Sequence, residues 1–171
     1  MEAHKQHTAH AQPRQQGHSM SHGRPYGRLA IMVVLSFISM YILMYSMVDR
    51  FANVIPNVNQ FYMAGLMTMP MIIIEVLVMS AMYMDKRRNA LIIAVSALAL
   101  VGFFLLIRRQ GAVGDKEFAK SMIPHHASAI LMAKEANLTD PELKKLKEDI
   151  ITSQEKEIEQ MKEKLAELDK R

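Results

Sequence analysis

Three long apolar runs constrain this chain more than any other feature: Leu29–Val48, Phe61–Met84 and Ala90–Ile107. Their 20, 24 and 18 residues rise about 1.5 Å each as helix, enough or nearly enough to cross roughly 30 Å of hydrocarbon. A segment in lipid must satisfy its own backbone hydrogen bonds, so an isolated run of this kind forms a helix. The runs leave 28 residues before the first and 64 after the last, which excludes a large soluble catalytic core. The expected class is all-α. A tail over 1–28 leads into a three-span membrane domain over 29–109, and an extramembrane helical segment follows over 115–170.

Charge sets the expected topology. The net +4 comes from the first 107 residues, because the chain from Arg108 to Arg171 carries 13 basic and 13 acidic residues. Arg14, Arg24 and Arg28 precede the first span and Lys86-Arg87-Arg88 fill the loop after the second. Counted over short flanks, this places the tail and that loop in the cytoplasm of a bacterial cell, with the C-terminal segment outside its cytoplasmic membrane; Arg108-Arg109 opposes the assignment. The first run has no cleavage site after it and reads as a retained anchor in membrane lipid. No basic stripe interleaved with aromatics suggests nucleic-acid binding. With no cysteine, disulfides, thiolate metal sites and iron–sulfur clusters are excluded.

Histidine and methionine point toward a soft metal. Sixteen Met and seven His occur in 171 residues. Met also fills apolar helices as an adaptable side chain, but thioethers beside imidazoles suit copper. The tail is polar, expected to be disordered, and carries His4, His7 and His10, then His18, Met20 and His22, a weak metal-collecting tract. In span two, Met63 and Met67 share a helix face. Glu75 in the same span is a costly carboxylate at membrane depth, to be protonated, paired or turned to a protein interior.

After span three the pattern becomes amphipathic. Asp115 can cap a helix over about 115–136, with Pro124 expected to kink it. Thr139-Asp140-Pro141-Glu142 starts a second over about 140–169, with Thr139 as cap and Glu142 closing a capping box. At 100° per residue the first helix has an apolar stripe of Phe118, Met122, Ala129, Met132, Ala133 and Ala136. His125 falls in its middle and His126 on its flank. The second has Leu143, Leu146, Ile150, Ile158, Met161, Leu165 and Leu168, interrupted by Gln154 and Glu157. Folding the hairpin sets the polar interruptions opposite one another. Buried polar groups need partners, so they form either a hydrogen-bond layer or a metal site. Two such helices do not enclose a core alone; pairing two hairpins gives a four-helix bundle, and hence a homo-oligomer.

The residues Met122-Ile123-Pro124-His125-His126, with Phe118, Met132 and the later Gln154, Glu157 and Met161, resemble the bacterial domain-of-unknown-function 305 family. The resemblance implies a ferritin-like helical fold outside the membrane and copper handling. It also implies a site drawn from Met122, His125, His126, Met132, Gln154, Glu157 and Met161.

The leading expectation is a membrane-anchored copper-binding protein, with a metal-handling partner protein. A structural oligomerising anchor, its His/Gln/Glu layer a hydrogen-bond network, is the alternative. Copper transport is a third reading: three spans, a His/Met tail and Met63-x-x-x-Met67 look similar to eukaryotic copper-uptake channels. Those channels keep the tail outside and carry Gly-x-x-x-Gly in the third span, where this chain has only Gly102. No nucleophile–base pair, phosphate-binding loop or Glu-x-x-His pair on the first hairpin helix suggests an enzyme.

Overall fold

The computed structural model describes residues 24–170, all helices, turns and loops. In order these are α1 (Arg24–Leu43), two short 3-10 turns (Met44–Met47 and Phe51–Asn53), α2 (Val58–Val78), α3 (Lys86–Arg109), α4 (Asp115–Glu135) and α5 (Pro141–Leu168). The first three are long and apolar enough to cross a membrane.

Helix α2 packs against both α1 and α3. Its inner face is Tyr62, Ala64, Gly65, Thr68, Ile72 and Val76, a stripe at the helical repeat. Gly65 is required there: a Cβ would sit 2.5–2.7 Å from three ring atoms of Phe103. The Thr68 hydroxyl is buried and donates to the Ala64 carbonyl at 2.7 Å, which satisfies a polar group that would be costly unpaired. At one end, Leu29, Val76 and Tyr83 cluster, and the Tyr26 hydroxyl donates to Asn89 Oδ1 at 2.8 Å. The start of α1 and the loop between α2 and α3 therefore lie together. The loop joining α1 to α2 lies at the other end, with the α4–α5 hairpin.

That hairpin rests on the α1–α2 loop. Ile123, Ala127 and Ile130 of α4 and Ile158 of α5 form its core, with Val48 and Ile55 of the loop packed against them. Polar contacts seal the junction. Asn57 caps α2, its Oδ1 accepting from the Gln60 N–H at 2.9 Å and from the Ser121 hydroxyl of α4 at 3.3 Å. The Val58 N–H, one of the donors a helix start leaves unpaired, bonds Glu117 of α4 at 3.3 Å. Lys162 of α5 donates to Asn53 Oδ1 at 2.5 Å, and the Tyr62 hydroxyl donates to the Gly111 carbonyl at 2.9 Å.

Several expectations need correction. The tail does not run to residue 28, since α1 begins at Arg24; Pro25 and Gly27 do not stop it so close to a helix start, where Pro fits. Span two is shifted toward the N-terminus: Val58–Val78 is helix, because Asn57 caps it, while 79–84 are turn and loop. Span three gains a turn at its start, where Asp85 accepts from the Arg87 and Arg88 N–H groups. Gly114, not Asp115, is the N-cap of α4, and Asp115 sits in the first turn. Asp140, not Thr139, caps α5, accepting from the Leu143 N–H at 2.9 Å with Pro141 as the first helical residue. Helix α4 continues through Pro124 from Asp115 to Glu135. The α1–α2 loop of the same chain packs under one side of the hairpin through Val48 and Ile55.

Candidate metal centre

Helix α4 carries two apolar faces. The face that packs is Ala119, Ile123, Ala127 and Ile130, roughly 120° around the helix from the stripe of Phe118, Met122, Ala129 and Met132. That second stripe is largely open: Phe118 and Met132 are 55% and 54% exposed. His125 lies on the open side and is exposed, while His126, one residue further round, is half-buried. Adjacent positions on a helix diverge by about 100°, so the two imidazoles take different environments, their ring centres 6.0 Å apart.

His126 faces a groove of about 550 Å³ between α4 and α5, whose walls include Phe118, Met122, Glu157, Met161 and Leu168. Its Nε2 lies 3.4 Å from the Glu157 carboxylate, and that carboxylate also accepts from the Ser153 hydroxyl at 2.8 Å. A carboxylate at Nε2 favours the tautomer with the proton there, which leaves the Nδ1 lone pair free. Nδ1 is buried and has no hydrogen-bond partner. Burial holds the His126 pKa below its ordinary value; Glu157 pulls it up by less, and His125 pushes it down further. At neutral pH the ring is therefore uncharged and able to donate a lone pair.

Four of the seven expected ligands line this one groove: Met122, His126, Glu157 and Met161. Gln154 is half-buried one turn along α5 from Glu157, outside the groove wall, and its Oε1 is buried without a partner. Among the described residues only Asn59 Oδ1 shares that condition with His126 and Gln154. His125 and Met132 are exposed and are not among the groove's walls. No three His, Asp or Glu side chains among the described residues gather closely enough to hold a metal, so the site lacks the oxygen-rich shell that hard cations require. Thioether, neutral imidazole and carboxylate are donor types that soft and borderline transition ions accept.

The remaining candidates are dispersed. Met63 and Met67 share a face of α2 that points away from α1 and α3, 38% and 46% exposed. Glu75 lies in the last turn of α2, where the Met79 N–H bonds its carbonyl and the Tyr83 hydroxyl meets its carboxylate at 3.4 Å. His4, His7, His10, His18, Met20 and His22 lie outside the described residues. Sequence reasoning missed Asn57, Glu117 and Ser121, which fix α4 to α2. An Asn just before an apolar run is a capping signal, and it was legible at position 57.

A family model, domain of unknown function (DUF305), matches residues 105–165, from the last turn of α3 through most of α5. An uncharacterized protein of Acanthamoeba polyphaga mimivirus is 36% identical over 139 residues, 78% of this chain and 88% of that protein. An alignment of that length exceeds the hairpin and runs into the three apolar helices. No solved structure matches. With the hairpin matched by the family model and a relative aligned along most of both chains, this chain belongs to the domain-of-unknown-function 305 family.

Proposed function

We propose that this is a membrane-anchored copper-binding protein, held in the lipid of the bacterial cytoplasmic membrane by α1, α2 and α3. The tail and the α2–α3 loop are cytoplasmic and the hairpin is extracytoplasmic. Arg28, Lys86, Arg87 and Arg88 gather at the end assigned to the cytoplasm, in keeping with the bias of short inward loops. Methionine and histidine ligands suit the outer compartment, where a thiol would be oxidised.

The observation that carries the reading is the buried, unpartnered Nδ1 of a neutral His126, beside a groove shared by Met122, Met161 and Glu157. In this reading His126, Met122 and Met161 hold the ion. Glu157 keeps the imidazole in the donating tautomer and offsets the ion's charge. The copper is cargo, kept or passed to a metal-handling partner protein, and no catalytic step is assigned.

The test is to load purified full-length protein with Cu(I) and with Cu(II), then measure bound metal by mass spectrometry. His126→Ala and Met122→Leu/Met161→Leu are run beside the parent, with helicity followed by circular dichroism. Copper in the parent, lost from His126→Ala at unchanged helicity, is expected. A parent that binds no copper would overturn the reading and leave the structural alternative, a polar layer that only fixes helix register. Transport is less favoured, because the charge bias puts the His/Met tail inside and the third span carries only Gly102.

A further inference from the structure

The open side of the hairpin runs its full length. On α4 it presents Phe118, His125 and Met132, and on α5 Leu143 and Leu146, all exposed. A helix apolar on two faces is built to be covered on both, and α4 has one face covered. Two helices about 30 Å long, side by side, offer roughly 600 Å² of flat footprint, and side-chain relief brings this near the ~800 Å² per partner of a stable protein interface. Lipid is a poor occupant, because His125 and the His126–Glu157 pair interrupt the apolar surface midway. Helix α1 starts at the opposite end of the three-helix unit. A second copy in the same membrane presents the same face at the same height.

We propose that a second copy of this chain covers the open face, giving a four-helix unit, and that His125 of each chain reaches the other's groove. The second clause rests on the copper reading; the first does not. A two-fold interface is self-complementary, so a residue beside the groove on one chain meets the corresponding groove on the other. The groove offers two thioethers and one imidazole from its own chain, and His125 is exposed on the residue before the groove's own imidazole. This assigns the outward His125 a role that its own chain's fold does not give it.

The chain has no cysteine, so single-cysteine variants of the full-length protein report proximity without background. Phe118→Cys and Met132→Cys, treated in membranes with a short bismaleimide, should each yield a band of doubled mass. Glu163→Cys, on an exposed position away from the open face, should not. Equal crosslinking at all three positions, or a monomer by native mass spectrometry of the parent, would overturn the pairing. For the second clause, His125→Ala should weaken copper binding at least tenfold. A mixed pair of His125→Ala and His126→Ala chains should recover one parent-like site per pair, because the first chain keeps its groove and the second supplies His125. Parent-like affinity in His125→Ala alone, or no recovery in the mixed pair, overturns it. Crosslinks without any copper in the parent refute the metal reading and leave the interface standing.

Discussion

At the scale of single residues, neighbours in sequence have opposite fates. His125 and His126 differ only in where the helix turns them, yet one meets solvent and the other a groove with a carboxylate. His126 has a pH consequence. Its folded pKa lies below the ordinary 6.5, so the fold favours the neutral ring. That contribution is fully present above about pH 6.5 and is lost as pH falls through 6.5 toward the lower folded value. Thermal melts followed by circular dichroism should therefore show the parent losing more stability than His126→Gln between pH 7.5 and 5. Equal losses would mean that the ring is not linked to folding. Gly65 gives a second test. A methyl group there overlaps the Phe103 ring, so Gly65→Ala should destabilise α2–α3 packing by about 1–3 kcal/mol, and Phe103→Leu in the same chain should recover part of it.

Among the elements, the helices themselves were readable and their ends and faces less so. The apolar runs marked three helices because nothing else in a chain accommodates some 20 apolar residues in a row. The hairpin was readable from its period and the Asp140-Pro141 start. Which side of α4 packs was not readable, because both candidate stripes recur at helical spacing. The choice is made by Val48 and Ile55, residues roughly 70–80 positions away that no local pattern connects to Ile123 and Ile130. The candidate groove was only partly legible, since the periodicity centred the stripe on His125 whereas His126 lines the groove. Two outcomes follow at this scale. Asp140→Ala removes the bond to the Leu143 N–H and should cost about 1 kcal/mol, seen as faster amide exchange in the first turn of α5. Ile123→Ala opens a void in a residue that is completely buried, and should cost about 2–5 kcal/mol in denaturant titration.

For the whole molecule, the junction between hairpin and helices is the feature that matters. Glu117 bonds the first N–H of α2 and pairs with Lys120 at 2.8 Å. The Lys120 hydrogen bond, the largest influence, holds the Glu117 pKa below the usual carboxylate value. Its stabilising contribution is present above about pH 4.5 and is lost as pH falls through the lower folded value. Glu117→Gln should loosen the hairpin from the α1–α2 loop, read as increased protease cleavage near residues 110–114; unchanged cleavage would mean that the remaining contacts suffice. A practical consequence concerns anyone wishing to avoid detergent. Cutting the chain after α3 to obtain a soluble hairpin would strip away Val48 and Ile55 and bare the Ile123–Ile130 surface to water. The excised piece would then be sticky on both flanks, and its aggregation or its metal content would describe the surgery rather than the protein.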